Sequence, residues 1–240
     1  MNELSIETTA PRPSKIQVKG LVKTFRTNGV QVEVLTGVHL DIFRGETLAI
    51  AGASGVGKST LLHILGTLER PTAGQVLWDG ADVFSLDENL LAAFRNRKAG
   101  FVFQLHQLLP EFNVLENVMM PALIARLPQQ TAREMAEAIL LRVGLKDRWR
   151  HRISLLSGGE QQRVAVARAL VMNPDELLAD EPPGNLDPRS GARVHELVLE
   201  LNRELGLTSV IVTHNLELAR SLDRQIALVD GKAVCMRGGA

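Results

Sequence analysis

Residues 47–60 run Thr-Leu-Ala-Ile-Ala-Gly52-Ala-Ser-Gly-Val-Gly57-Lys58-Ser59-Thr60, and this stretch decides the fold. The apolar run before Gly52 predicts a short buried strand, and the run from Thr60 to Gly66 predicts a helix. A strand, a glycine loop and a helix in this order are the context that the pattern G-x-x-x-x-G-K-[ST] requires. An ordinary glycine turn is the competing interpretation, and the flanking strand and helix count against it.

The chemistry of this loop follows from its geometry. Glycines allow backbone N–H groups to turn towards one anion, and the following helix directs its free N–H groups and positive dipole end to the same place. Lys58 can reach the terminal phosphates of a nucleotide, and Ser59 can hold Mg²⁺. We therefore expect a phosphate site made by Gly52, Ala53, Ser54, Gly55, Val56, Gly57, Lys58, Ser59 and Thr60.

Composition limits the remaining possibilities. The 240 residues are 45% hydrophobic, which suffices for one large domain or a domain with an inserted lobe. Lysine plus arginine and aspartate plus glutamate number 27 each, which argues against nucleic acid as a partner. Cys235 is the single cysteine, so no intramolecular disulfide is possible. Residues 1–14 are a polar tail without the apolar core of a signal peptide, and no apolar run approaches the roughly 20 residues of a membrane span.

A small antiparallel sheet is predicted near the start of the chain. Residues 16–22, 32–35 and 38–42 have the alternation of strands, and Asn28-Gly29 is a strong hairpin turn. Phe25 precedes that turn. Its ring could stack on an adenine or pack within the small sheet, and the local sequence leaves both open.

Residues 105 to about 156 interrupt the strand and helix alternation and predict an inserted helical lobe. Asn113 is placed to cap a helix that begins at Val114. A second helix is expected over residues 131–143, with Gly144 as its stop. The apolar loop at residues 108–112 precedes the first helix and is a candidate surface for a partner.

Polar residues stand at or just after the ends of three predicted strands, where ligands bind in open α/β sheets. Gln104 follows the strand at residues 100–103 and could bind Mg²⁺ or the attacking water. Asp180 ends the next strand and is placed for the Mg²⁺ shell, while Glu181 can act as a general base. His214 follows the strand at residues 209–213 and could contact the terminal phosphate. Taken alone, Gln104 or His214 would more often be structural.

A second anion-binding helix N-terminus is predicted at Ser157-Gly158-Gly159, before a long helix. The local alternative is an ordinary helix cap. One triphosphate needs only one phosphate loop, so this second site suggests that it serves a nucleotide held by another copy of the chain.

These motifs together resemble the ATP-binding subunit of ABC transporters over residues 15–236. The resemblance assigns Phe25 to adenine stacking, residues 52–59 to Walker A and Gln104 to the Q-loop. It also identifies Asp180 with Walker B, Glu181 with the catalytic glutamate and His214 with the switch histidine. The remaining matches are the signature residues Ser157, Gly158, Gly159, Glu160 and Gln161 and the D-loop residues Asn185 and Asp187.

The resemblance carries expectations for fold and mechanism. It implies an α/β P-loop NTPase with a mostly parallel core sheet at about residues 15–100 and 160–240. It also implies a small N-terminal antiparallel β subdomain and a helical subdomain at about residues 105–158. The catalytic residues would be Lys58, Glu181, Gln104 and His214. The ligands of Mg²⁺ would be Ser59, Gln104 and Asp180. ATP would lie between the phosphate loop of one copy and the signature of a second, and membrane permease subunits would contact the loop at about residues 105–121. The chain would be a peripheral protein on the cytoplasmic face of the inner membrane.

A narrower resemblance links residues 100–121 to the LolD type, the ATPase of the lipoprotein-releasing system. Macrolide-efflux and cell-division ATPases are close relatives, and the latter act as nucleotide-dependent clamps with low turnover. A soluble ATPase of translation or DNA repair is a third possibility, but such proteins usually carry two modules or a long coiled coil. Two departures put the turnover rate in question: Pro183 stands where this branch usually has Thr, and Asn215 where Asp is common.

Overall fold

A computed structural model describes residues 13–27, 29–182 and 186–236. Its strands are β1 (Ser14–Thr27), β2 (Val30–Phe43), β3 (Thr47–Ala51), β4 (Ala73–Trp78), β5 (Ala81–Asp82), β6 (Ala99–Val102), β7 (Glu176–Asp180), β8 (Thr208–Val212), β9 (Arg224–Val229) and β10 (Lys232–Cys235). Its α-helices are α1 (Lys58–Leu65), α2 (Glu88–Lys98), α3 (Val114–Ile124), α4 (Gln129–Arg142), α5 (Gly158–Leu170), α6 (Pro188–Leu205) and α7 (Leu216–Ser221).

The core is a six-stranded sheet in the order β10-β9-β3-β8-β7-β6. All neighbours are parallel except β10, which pairs antiparallel with β9. Strand β8 therefore lies between β3, which precedes the glycine loop, and β7, which ends in Asp180. Because parallel strands end at the same edge, Gln104, Asp180 and His214 are brought towards the glycine loop. The predicted mostly parallel α/β fold is confirmed.

Two hydrophobic clusters cover the two faces of this sheet. Neighbouring side chains of one strand point to opposite faces, so Leu48 and Ile50 pack with α1 and the small sheet, whereas Ala49 packs with the helical lobe and α6. Burial of both faces explains why these strands are almost continuously apolar.

The small sheet has the order β2-β1-β4-β5 and is antiparallel, as predicted. Thr27 of β1 pairs with Val30 of β2, and Asn28 of the predicted Asn28-Gly29 turn lies outside the described residues. The prediction of separate strands at residues 32–35 and 38–42 is wrong, because β2 is continuous from Val30 to Phe43. The register shifts there, so β-bulges take the place of a break. Strand β1 begins at Ser14, one residue inside the predicted tail, and residues 1–12 lie outside the described chain.

The helical lobe is built from α3, α4 and α5. Asn113 caps α3 as predicted, because its side chain accepts from the Glu116 N–H while the Glu116 carboxylate accepts from the Asn113 N–H. Helix α5 packs against α3 and α4 and also against β6 and α6, so it joins the lobe to the core. In the part of the chain that the structure describes, no helix is long and apolar enough to span a membrane.

A buried ion cluster at the opposite edge of the core sheet was not predicted. The Lys15 ammonium is 1% exposed and lies 2.7 Å from Asp79 Oδ2 and 2.9 Å from Asp175 Oδ2. Burial alone would lower the pKa of Lys15, but hydrogen bonds to the two carboxylates outweigh it and raise the pKa above its ordinary value. Asp79 follows β4 and Asp175 precedes β7, so the cluster fastens the small sheet to the core sheet.

The Glu176 side chain lies beside this cluster and is fully buried. Neither of its carboxyl oxygens has a hydrogen-bond partner among the described residues. Burial raises the pKa of Glu176 to about 9; the nearby Lys15 charge acts against this rise. Glu176 is therefore a neutral carboxylic acid at pH 7.

Candidate functional site

The glycine loop leads from β3 into α1. Gly57 is the N-cap of α1 in the left-handed region, with φ 102°, and helix hydrogen bonding starts with the Leu61 N–H to the Gly57 carbonyl. The preceding N–H groups of the first turn cannot bond within the helix, and they face the loop. The Lys58 ammonium donates to the carbonyl oxygens of Gly52 at 2.9 Å and Ala53 at 2.8 Å. The lysine is thus held over the loop whose N–H groups would bind phosphate.

Two of the loop glycines are required by close packing. A Cβ at Gly52 would lie 2.8 Å from the Leu228 carbonyl oxygen, and φ there is 144°. A Cβ at Gly57 would lie 2.7 Å from Val34 Cγ1. Since Val34 belongs to β2, the small sheet forms a wall against the phosphate loop.

A cleft of about 430 Å³ opens above the loop. Gln104, the adjacent pair Asp180 and Glu181, and His214 line it together with the loop residues, although they come from three parts of the sequence distant from the loop and from one another. Its other lining residues are Val34, Gly52, Ser54, Gly55, Gly57, Lys58, Ser59, Thr60 and Val212. The structure therefore brings the polar strand-end residues and the phosphate loop to one place.

Glu181 and His214 are in direct contact, which the sequence did not indicate. His214 Nδ1 lies 2.8 Å from Glu181 Oε1, and the carboxylate is 13% exposed whereas the imidazole is 72% exposed. The backbone of Glu181 is left-handed, with φ 45°, and its N–H donates to the Val212 carbonyl at 2.9 Å. Left-handed backbone at a residue other than glycine stores strain and is concentrated at functional sites.

The donor set of the cleft fits Mg²⁺. Ser59, Gln104 and Asp180 offer a hydroxyl, an amide oxygen and a carboxylate, which are the hard oxygen ligands that Mg²⁺ prefers. Mg²⁺ usually takes few protein ligands and completes its shell with phosphate oxygens and water, and this cleft provides both few protein oxygens and an adjacent phosphate loop.

The signature turn forms a separate site. Ser157 caps α5, and its Oγ and N–H both donate to Glu160 Oε2 at 2.9 Å. The Ser157 N–H hydrogen bond is the main cause that lowers the pKa of Glu160; burial opposes it and Arg148 adds to the lowering. Ser157, Gly159 and Glu160 line a cavity of about 310 Å³ that shares no lining residue with the phosphate cleft. Gly158 instead faces Leu186, whose Cδ2 would lie 3.0 Å from an added Cβ.

The two departures from the family pattern have different outcomes. Asn215 caps α7, and its Oδ1 accepts from the N–H groups of Glu217 at 2.9 Å and Leu218 at 3.1 Å. An aspartate oxygen would serve equally, so Asn215 retains the capping role. Pro183 and the D-loop residue Asn185 lie outside the described residues. The other D-loop residue, Asp187, caps α6 by accepting from the N–H groups of Arg189 and Ser190.

Besides Gly158 and Asp187, four of the predicted site residues do not line the phosphate cleft or the signature cavity. Phe25 is 36% exposed on β1, beside Val32 of β2, and the Lys23 ammonium lies 4.7 Å from its ring centroid. Gln161 donates to the carbonyl oxygens of Ile153 and Leu156, so it supports the segment before the signature. Ala53 and Val56 belong to the loop, but their side chains are not among the lining groups of the cleft.

Sequence reasoning also missed residues that position the site. Val34 reaches the loop from the small sheet, and Arg168 of α5 contacts the backbone after Gln104. Spacing along the chain gives no signal for either contact, because each joins elements that are distant in sequence.

Comparisons with known proteins agree with this geometry. The family model described as ABC transporter matches residues 35–184. The lipoprotein-releasing system ATP-binding protein LolD of Syntrophus aciditrophicus is 58% identical over 219 residues, covering 91% of this chain and 98% of that protein. Its namesake in Myxococcus xanthus is 52% identical and covers 90% of this chain and 97% of that protein.

Solved structures point in the same direction. The dimeric structure of MJ0796, a bacterial ABC transporter cassette, has a TM-score of 0.84 and 39% identity, covering 93% of this chain and 100% of that one. A dimeric post-hydrolysis state of the same cassette, bound to ADP and Pi, has a TM-score of 0.84 and 38% identity with the same coverage.

Proposed function

The chain belongs to the ABC transporter family and within it to the LolD-type ATP-binding subunits, and on this premise we propose that it is the ATP-hydrolysing motor of a lipoprotein-releasing system. One observation carries the catalytic part of the proposal. Lys58, Ser59, Gln104, Asp180, Glu181 and His214 all line a single cleft beside a glycine loop.

The roles of the residues follow from their positions. Lys58 and the loop N–H groups hold the β- and γ-phosphates, while Ser59, Gln104 and Asp180 supply oxygens to Mg²⁺. When bound, Mg²⁺ neutralises charge that develops on the transferred phosphoryl group. Glu181 accepts a proton from the attacking water, and His214 donates from Nδ1 to the Glu181 carboxylate and orients it.

Catalysis also requires a second copy of the chain. The signature turn presents a capped helix N-terminus with Ser157 and Gly159, in a cavity distinct from the phosphate cleft. A helix N-terminus attracts phosphate, so the signature of one copy closes over the nucleotide held by the other. The dimeric state of MJ0796 supports this arrangement.

The membrane permease docks beside the loop that follows Gln104. The predicted contact region at residues 105–121 divides at Asn113, because residues 114–121 lie in α3 and several of them are buried. Apolar side chains are exposed in the first half: Leu105 is 70% exposed, and Leu109 and Phe112 are 37% exposed. An adjacent cleft of about 440 Å³ contains Phe101, Phe103, Ile124 and Met172. An exposed apolar surface of this kind is typical of a partner site, and through the permease the chain would be peripheral to the inner membrane, on its cytoplasmic face.

The release of lipoproteins as the transported cargo is supported by the names of the relatives that are 58% and 52% identical. Cargo selection would belong to the permease, which faces the membrane. This chain would supply the closing and opening movement of two copies around two ATP molecules.

The decisive test compares Glu181→Gln with Lys58→Ala and with Glu200→Gln, a control at an exposed position of α6. We expect Glu181→Gln to lower kcat by about 10² or more, because loss of a positioned general base costs 10²–10⁴. It should bind ATP and accumulate as a dimer in size-exclusion chromatography, whereas Lys58→Ala should fail to bind. Glu200→Gln should match the parent, and a Glu181→Gln protein with the parent rate would refute the assignment of the base.

A further inference from the structure

Arg168 joins the loop after Gln104 to the signature helix. It lies near the end of α5, and its side chain crosses to the backbone of the neighbouring loop. Arg168 Nη1 donates to the Gln107 carbonyl at 2.7 Å, and Nη2 donates to the His106 carbonyl at 2.9 Å. The guanidinium thus bridges two successive carbonyls with its two terminal nitrogens.

This contact combines a full charge with partial burial of the Arg168 side chain. Burial lowers the pKa of Arg168, yet a guanidinium keeps its proton in proteins, so the positive charge remains. A buried charge is tolerated when its donors are satisfied, and hydrogen bonds with one charged partner are about twice as strong as neutral ones. Movement of the loop away from α5 would therefore break two charge-assisted hydrogen bonds.

The far end of the same loop is also fixed, but to a different helix. Asn117 of α3 is fully buried and accepts from the Leu109 N–H at 2.8 Å. Its amide nitrogen donates to the carbonyls of Leu109, Phe112 and Asn113. Residues 106–113 are thus held by Arg168 at one end and by Asn117 at the other. The loop that follows Gln104 therefore has little freedom to move relative to α5.

We propose that Arg168 is a positioning residue that couples the two nucleotide sites of the dimer; this inference rests on the function proposed above. Gln104 faces the nucleotide held by its own phosphate loop, whereas Ser157 serves the nucleotide of the other copy. Ser157 and Arg168 are eleven residues apart on one rigid helix, roughly 16 Å along its axis at 1.5 Å per residue. A shift of the Gln104 loop on binding ATP therefore moves α5, and with it the signature that closes the opposite site.

A purely structural role for Arg168 would have different consequences. Loss of packing would lower thermal stability and weaken ATP binding and turnover together. Loss of coupling would spare ATP binding to a single copy and would reduce the cooperativity between sites. The Hill coefficient of ATP hydrolysis is therefore the informative measurement.

The experiment compares the parent with Arg168→Lys and Arg70→Lys. Lysine keeps the charge but cannot bridge two carbonyls with a planar fork. Arg70 is the matched control, because its guanidinium also donates to two carbonyls of one loop, those of Phe84 at 3.1 Å and Leu86 at 3.3 Å. For each protein we measure the melting temperature, the ATP Kd of the monomer and the dependence of hydrolysis on ATP concentration.

We expect a Hill coefficient above 1 for the parent and for Arg70→Lys, and a value near 1 for Arg168→Lys. The ATP Kd of the Arg168→Lys monomer should stay within about twofold of the parent, while cooperative activation should fall about fivefold or more, the low end of known coupling energies. Gln107→Pro tests the same contact from the exposed loop side if Arg168→Lys does not fold. Gln107 has φ 48°, which proline cannot adopt, so the carbonyls should move away from an intact Arg168.

The outcomes separate this inference from the proposed function. A parent without ATPase activity would overturn both. A parent that hydrolyses with a Hill coefficient of 1, or an Arg168→Lys protein as cooperative as the parent, would overturn the coupling alone. A loss of ATP affinity in Arg168→Lys that matches its loss of kcat/KM would also overturn the coupling and leave Arg168 as a structural residue.

Discussion

Replacing Glu176 with glutamine should change how the stability of the chain depends on pH. The buried Glu176 carboxyl has no hydrogen-bond partner among the described residues, and burial raises its pKa to about 9. In the unfolded chain the same group titrates near its ordinary value of 4.5. The native state therefore holds a proton that the unfolded state releases at neutral pH.

The sign and the size follow from linkage. A pKa that is raised on folding gives stability that is complete below about pH 4.5 and is lost as the pH rises towards 9. Between pH 6 and pH 8 the native group is protonated and the unfolded group is not. The free energy of unfolding should then fall by about 1.4 kcal/mol per pH unit, or about 3 kcal/mol over this range. Glutamine does not titrate, so this slope should disappear in Glu176→Gln.

The assay is urea unfolding of the parent and Glu176→Gln at pH 6, 7 and 8, followed by circular dichroism. All other titrating groups are common to both proteins, so the difference between their free energies of unfolding isolates Glu176. We expect the stability of Glu176→Gln relative to the parent to rise by about 3 kcal/mol between pH 6 and pH 8. Parallel pH profiles would refute the reasoning, because they would mean that Glu176 is ionised in the native state.

Two further predictions concern Asn215, which follows His214, and Leu109, which lies in the exposed apolar loop after Gln104. Asn215→Ala should destabilise the chain by about 1 kcal/mol through loss of the α7 cap, whereas Asn215→Asp should keep the parent stability; equal urea midpoints for all three proteins would contradict the capping role. Leu109→Asp should abolish co-purification with the permease at little cost in stability, since Leu109 is already 37% exposed, whereas Leu90→Asp on α2, where the side chain is 55% exposed, should co-purify normally. Undiminished capture of the permease by Leu109→Asp would exclude the loop as the docking surface.

The local sequence was sufficient to predict those parts of the site whose geometry is determined within a single element. The phosphate loop is set by Gly52, Gly57 and the helix that follows, and the caps at Asn113 and Ser157 follow from a glutamate three residues later. The strand-end positions of Gln104 and Asp180 were predictable because parallel strands end at one edge of a sheet.

Contacts between elements that are distant in sequence could not be predicted from the local sequence. The Glu181–His214 pair spans β7 and β8, and the Lys15 cluster joins residues 64 and 160 positions apart. No spacing rule connects such residues, because their proximity depends on strand order and packing. The predicted break within β2 failed for a related reason, since pairing with β1 absorbs the irregularity as bulges.

The left-handed backbone of Glu181 lowers the stability of the chain, although the site needs a glutamate at this position. Glycine adopts φ 45° without strain, whereas a residue with a side chain there costs about 1–3 kcal/mol. If ATP hydrolysis were no longer required, replacing Glu181 with glycine would relieve this strain and stabilise the chain. Stability therefore does not explain a glutamate at this position, whereas its chemistry does: a glycine would remove the strain together with the carboxylate that faces the cleft.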